Sequence, residues 1–417
     1  MKKTQIIKEE KQQLLIILLI VFMGFIGSSI AYPIFPPLFL HPEHGTIVPA
    51  HWHISARSIL LGIALAAYPL GQFIGSPILG GYSDNYGRKN LLILSLAGTI
   101  FGYLLSALSL QFNWLWGLLI SRFLTGIMEG NIAIVRAMAT DLSSISKYVT
   151  LGRINSVGAI GYVMGPMMGG FLSDNKLVPW FSFAFPFYLA VVLTIIAMVF
   201  AQFKLSESIK KTAIPHLTLL ERFNLINRLK FLFKNSAILK NLIICSTIFT
   251  FSVDIFYEFG PVYLTGLWSI TPSGIAIYNA ALSFTLAIGA GLLPYRLSLY
   301  FSVERVVITS MLLTSIFFGL MVIFPSYILA FILFALVGLS IAIVNTSLTI
   351  QVSNAADSLV QGEAMGAQVS LRMLGDALIC LIGGFLIVSS VILPIALSCI
   401  IALIALAKYT LRFSVKN

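Results

Sequence analysis

Asp254 and Glu258 stand four residues apart in FSVDIFYEFGPVY, residues 251–263, a stretch that is otherwise apolar. On a helix that spacing puts both carboxylates on one face. Two carboxylates so close and partly out of water cannot both ionise easily. A carboxylate that gains and loses a proton suits proton coupling. The plainer alternative is a static ion pair with a cation such as Arg136 or Arg372. Arg122, Glu129 and Arg136 recur at intervals of seven, which drift only about 20° per step on a helix and form one stripe. Arg372 and Asp376 are a further pair four apart, spaced for a structural ion pair. A charge at mid-bilayer costs at least about 2.5–3.5 kcal/mol, so such groups face the protein interior and have partners. The sequence has no G-x-x-x-x-G-K-[ST] loop, H-E-x-x-H or nucleophile elbow. Direct ATP drive and membrane enzyme chemistry are therefore set aside, and no cofactor or resident metal is expected.

The elements that must position these groups follow from composition. The chain is 58% hydrophobic and only 10% charged, where a soluble chain carries about 25% charged residues. Its apolar residues form twelve runs, 13–35, 56–80, 89–110, 114–141, 148–173, 181–203, 238–263, 271–293, 303–323, 327–351, 362–388 and 392–411. Each approaches the ~20 residues that span a bilayer as a helix. Lipid offers the backbone no hydrogen bonds, so the runs must be helices, and barrel strands would be about half as long. The opening MKKTQIIKEEKQQ and its apolar run resemble a signal peptide, but the run is too long for one and reads as the first span. Cys245, Cys380 and Cys399 all fall in spans, which argues against a disulfide framework.

The net charge of +11 is distributed by topology. With the N-terminus inside, Lys2, Lys3, Lys8, Lys11, Arg88, Lys89, Lys147, Arg153, the basic residues of the 204–240 region, Arg296, Arg305, Lys408, Arg412 and Lys416 lie inside. Only Arg57 and Lys176 face out. This positive-inside bias places both termini in the cytoplasm of a bacterial-type inner membrane. The basic central loop serves topology and attraction to anionic lipid, with no nucleic acid implied. That loop divides the chain into a six-helix bundle (1–203), a linker (204–237) and a second six-helix bundle (238–417). GGFL recurs at 169–172 and 383–386, and PPLFL (36–40) is echoed by GPVYL (260–264), each at the corresponding span of its half. A six-plus-six repeat is a transporter architecture with its substrate site between the halves.

Between the second and third spans, GGYSDNYGRKN places Gly80, Asp84, Gly87, Arg88 and Lys89 in the pattern G-x-x-x-D-x-x-G-R-K. Gly87 permits a tight turn, Asp84 can accept hydrogen bonds from helix N-termini, and Arg88 can clamp a carboxylate. This loop resembles the signature of the major facilitator superfamily. Gly27, Pro33 and Pro36 fit the G-x5-P-x-x-P pattern of its twelve-helix drug/proton antiporters. Arg122 and Gly126 fit R-x-x-x-G, with Thr125 where Gln is usual. Gly161, Gly165, Pro166, Gly169 and Gly170 fit the antiporter motif G-x-x-x-G-P-x-x-G-G. The chain thus resembles the tetracycline/proton antiporters. The resemblance implies an all-α membrane fold of twelve helices in two bundles, with spans 1, 4, 7 and 10 lining the cavity. It also implies a cytoplasmic latch, in which Asp84 faces Gly362 and Glu363 and Arg88 pairs with Asp141.

Two departures limit the carry-over. Those antiporters carry an acid in the first span, and Leu14–Phe35 has none; Glu129 and Arg136 stand where the resemblance predicts small residues. The expectation is a monomeric, proton-coupled exporter of a small molecule, zwitterionic or anionic given the mixed cavity charge. The alternatives are an importer of a nutrient or metal-chelating metabolite and, less favoured, a non-transporting sensor. His41, His44, His51 and His53 cluster in HPEHGTIVPAHWH without a standard metal spacing, so metal binding there is the minor reading.

Overall fold

Apolar runs of bilayer length leave the backbone one way to satisfy itself, and the chain takes it throughout. The computed structural model describes residues 2–41, 47–49, 51–142, 147–207, 237–291, 293–355 and 361–414. The first group of helices is α1 (Lys2–Ser29), α2 (Phe35–Leu40), α3 (Ile54–Tyr86), α4 (Arg88–Gln111), α5 (Leu115–Glu129), α6 (Ile132–Asp141), α7 (Lys147–Ser173) and α8 (Phe185–Lys204). The second is α9 (Ala237–Trp268), α10 (Pro272–Gly291), α11 (Leu293–Ser298), α12 (Val303–Ile323), α13 (Tyr327–Ala355), α14 (Gln361–Ser389) and α15 (Leu393–Ser414). Eleven stretches among the described residues are long and apolar enough to cross a membrane, α5 and α6 counting as one. The remaining predicted span, 148–173, is the 27-residue helix α7. The protein is an all-helical, multi-pass membrane protein.

Proline marks where these helices bend or stop. α1 ends at Ser29, and after a turn α2 begins with Pro36 and Pro37 in its first turn, where a missing N–H costs nothing. Pro69, Pro77, Pro166 and Pro261 lie inside helices, where neighbouring groups can serve the freed carbonyls. The fourth predicted span runs as one membrane-length stretch with a local i→i−3 tightening in it. α5 stops at Glu129, and a tight turn at Gly130–Asn131 leads into α6, with Asn131 N–H donating to Met128 O at 3.3 Å. The interval of seven that joined Arg122, Glu129 and Arg136 presumes regular α-helical spacing. In the structure Glu129 closes α5 and Arg136 belongs to α6.

The described chain divides into two compact units. The first comprises the described parts of 1–38, 42–50 and 64–223, and the second those of 39–41, 51–63 and 224–417. Ile17, Ile20, Leu92, Ile134 and Ala197 lie in the core of the first. In the second, Phe256 packs on Phe334 and Phe318 with ring centroids 4.8 and 5.1 Å away. Cys245, Cys380 and Cys399 are free thiols. Residues 208–236 of the predicted linker lie outside the described residues.

In the first unit α7 lies directly on α1. A Cβ on Gly165 would strike Ser29 Oγ and come within 2.5 Å of the Ile26 carbonyl, and one on Gly161 would come within 2.7 Å of Phe22 O. Gly169 meets the Ile30 carbonyl in the same way, while Pro166 and Gly170 are also buried. Backbone cannot rotate aside as a side chain can. Gly165→Leu is therefore expected to destabilise the protein by about 3 kcal/mol, the upper range for overpacking, and to impair function with it. Thermal unfolding in detergent measures this, and a wild-type melting temperature would contradict the seam.

Candidate functional site

Two clusters of charged groups lie within the bilayer-length helices, one in each unit. In the second unit, α9 and α14 meet by aromatic rings entering glycine gaps. Phe251 fills the space a side chain on Gly375 would need, and Phe259 does the same at Gly383. On α9 these two contacts lie on either side of Asp254 and Glu258. Asp254 and Glu258 on α9 are both buried. From α14, Arg372 donates to Asp254 through two nitrogens, Nη2 to Oδ1 at 2.9 Å and Nε to Oδ2 at 3.2 Å. Its distance to Asp376 on its own helix is 4.0 Å. The arginine thus sits between two acids and engages the one across the helix interface more closely. The i,i+4 pairing read from sequence is the weaker contact. The buried Cys380 thiol, one turn beyond Asp376, faces Glu258.

In the first unit, close packing of α3 on α5 sets the geometry. A Cβ on Gly126 would fall on the Tyr68 carbonyl, so its absence lets the two backbones touch. Tyr68 is thereby placed over both ionisable groups of α5. Its hydroxyl donates to Glu129 Oε2, and the Arg122 guanidinium lies over its ring, 4.7 Å from the centroid. Tyr103 on α4 donates to Glu129 Oε1. Arg122 also donates to Ser28 O at 3.2 Å and stands 5.9 Å from the Phe35 ring centre. Arg136, on α6, is half-buried.

A third group lies at the start of α4. Gly87 has φ +98°, a conformation that suits glycine, and it turns the chain sharply from α3 into α4. Arg88 forms an ion pair with Asp141, the last residue of α6. Glu207 closes the N-terminus of α4, accepting from Arg88 N–H at 2.8 Å and Lys89 N–H at 3.1 Å. A carboxylate there satisfies free N–H groups and meets the positive end of the helix dipole. Gly80 stands close to Ala133; a Cβ on it would lie 3.3 Å from Ala133 Cβ. Asp84 lies in α3 and Gly362 and Glu363 in α14, but side-chain placement at these positions is outside what is described, so the contact implied for them is outside too.

Among the histidines, His41 Nε2 is 3.3 Å from Thr265 O, and His53 Nδ1 is 3.0 Å from Ser55 Oγ. His51 is exposed, and His44 lies outside the described residues.

The sequence model of the Major Facilitator Superfamily matches residues 17–378. The chain belongs to this superfamily. Among curated relatives, a class H tetracycline resistance protein of Pasteurella multocida is 30% identical over 204 residues, 49% of this chain and 46% of that one. Multidrug resistance protein 2 of Bacillus subtilis (strain 168) is 27% identical over 211 residues, 50% of this chain and 47% of that one. These matches span about half the length of the curated relatives. Over 96% of this chain and 99% of the other, the fold is that of the human organic anion transporter MFSD10, with a TM-score of 0.69 and 19% identity.

For a member of the superfamily, the site residues that sequence reasoning missed are informative. Tyr68 and Tyr103 look like packing residues in apolar helices, and no spacing rule ties them to an acid 61 and 26 positions away. Glu207 is 119 residues from the N–H it caps. Cys380 offered one usable signal, standing four residues after Asp376 and so on the same helical face.

Proposed function

We propose that this chain is a secondary active transporter that moves a small organic molecule across a bacterial-type inner membrane by alternating access. The cycle is coupled to protons and runs as export, and both termini are cytoplasmic. The observation that carries this reading is the charge imbalance between α9 and α14. Three acids, Asp254, Glu258 and Asp376, are placed inside helices of bilayer length, and Arg372 meets two of them, Asp254 and Asp376. Charge buried in lipid is expensive, and it persists where it moves an ion or holds a substrate. Asp254 is met by two nitrogens of the guanidinium and acts as the structural partner of Arg372, while Glu258 and Asp376, on either side of that pair, are the acids that exchange protons. Superfamily membership and relatives that include tetracycline and multidrug resistance proteins support efflux. Arg122 and Arg136 suit a substrate with an anionic or zwitterionic group, and the shared fold with an organic anion transporter is compatible with that class.

Arg88–Asp141, the end of α3 with Gly80 and Asp84, and the turn at Gly87 act as a conformational latch on the cytoplasmic side. A surface ion pair of this kind selects between states rather than building the core. Asp84→Asn or Arg88→Ala is expected to lower transport by about 10- to 100-fold, the range of a 1–3 kcal/mol coupling, with folding and insertion retained. Wild-type rates in both variants would remove the latch from the mechanism.

Purified protein in sealed vesicles tests the function directly. Labelled tetracycline and small organic anions are offered under an imposed proton gradient. Substrate movement against the proton flow is the expected result. Movement with the protons would make the protein an importer, and the absence of any proton-driven flux would remove the coupling.

A further inference from the structure

We propose that Glu129, held between Tyr68 and Tyr103, is a second proton-binding site, so that one transport cycle carries a proton in each unit. This rests on the proton coupling proposed above.

Glu129 is buried in the first unit, and among the described residues no cation lies within ion-pair distance of it. Its nearest positive charge, Arg122, is held on the face of the Tyr68 ring instead of on the carboxylate. Arg122 Nε and Nη1 have no hydrogen-bond partner among the described residues, so no fixed acid consumes that cation. The groups facing Glu129 are Tyr68 from α3, Tyr103 from α4 and Arg122 from its own helix. α1 presents Gly24, whose missing Cβ would stand 3.9 Å from Oε2, and α8 presents Thr194. Glu129 is also the last residue of α5, at the negative end of that helix's dipole.

The cluster is satisfied in both protonation states. As a carboxylate, Glu129 accepts from both tyrosine hydroxyls. As an acid it becomes a donor, and a phenol can accept as well as donate. The Tyr68 hydroxyl then has somewhere to turn, because the Ser28 hydroxyl is beside it. Ser28 already donates to Phe25 O at 2.9 Å, which leaves its lone pairs to receive. A group with good partners in either state exchanges a proton without leaving a buried orphan, which would cost about 1–3 kcal/mol.

Space also adjoins it. A small cavity within the first unit is lined by Glu129, Thr99, Asn131 and Gly24. Thr99 Oγ1 is buried with no partner among the described residues. Asn131 points its amide at Ser95 Oγ, 3.1 Å away. The space suits about one water beside the carboxylate, next to the polar groups of Thr99 and Asn131.

Infrared titration of the purified protein tests this without a transport substrate. A protonated-carboxyl band should appear on acidification, and Glu129→Gln should lose one carboxyl's share of it. Tyr103→Phe keeps the acid and removes one hydrogen bond, so it should move the same band in frequency; it stands in if Glu129→Gln does not fold. In vesicles, Glu129→Gln should lower the protons carried per substrate by one. A titrating band untouched by both substitutions overturns the site, as does a Glu129 band of constant intensity from acid to alkaline buffer. A titrating Glu129 in a protein with no proton-driven flux would leave the binding site standing and remove its place in the cycle.

Discussion

Arg372→Gln should be the most damaging single substitution in the second unit. It leaves Asp254, buried on α9, without the two-pronged partner it has at 2.9 and 3.2 Å. Removing one member of a buried ion pair costs about 3–5 kcal/mol, because the other charge stays behind uncompensated. The Arg372 side chain is 36% exposed, so the lower end, about 3 kcal/mol, is expected. The second half of the experiment carries the argument. Arg372→Gln combined with Asp254→Asn removes both charges and should recover most of the lost thermal stability, although neither change alone is benign. If the double variant is as unstable as Arg372→Gln, the arginine acts through packing and the pair is not what holds α9 to α14.

Glu258→Gln with Asp376→Asn should separate binding from energy coupling. Both substitutions keep volume and remove a titratable group beside the Asp254–Arg372 pair. The variant should still bind substrate and still exchange it down a gradient. Each elementary charge moved across the membrane is worth about 2.3 kcal/mol per 100 mV, so losing one proton per cycle lowers the attainable substrate gradient about 45-fold at 100 mV. The comparison is made in vesicles under an imposed potential, with substrate affinity measured separately. Concentrative transport at the wild-type level would place the moving proton elsewhere.

The spans and the charged groups were legible in the sequence because both are local signals. Apolar runs of bilayer length leave few alternatives to helix, and an acid in such a run is conspicuous. Partners were less legible. The i,i+4 rule points Arg372 at Asp376, yet the guanidinium reaches across to Asp254, whose two oxygens match its two-nitrogen edge. The stripe drawn through Arg122, Glu129 and Arg136 presumed regular α-helical spacing, and the i→i−3 hydrogen bonds at Gly130–Asn131 tighten the helix between Glu129 and Arg136. Gly126 was visible as part of a motif. Its physical role, letting the Tyr68 carbonyl close on α5, depends on a neighbouring helix that the motif does not mention.

The two clusters differ in the order in which a ribosome completes them. Tyr68 and Tyr103 are made 61 and 26 residues before Glu129, so that acid enters the bilayer with both hydrogen-bond donors already delivered. Asp254 is made 118 residues before Arg372. At about 5–20 residues per second, its helix waits roughly 6–24 s for the cation that neutralises it. During biogenesis α9 is therefore the segment that most needs shelter from lipid, from an insertase or from helices made earlier, until α14 arrives.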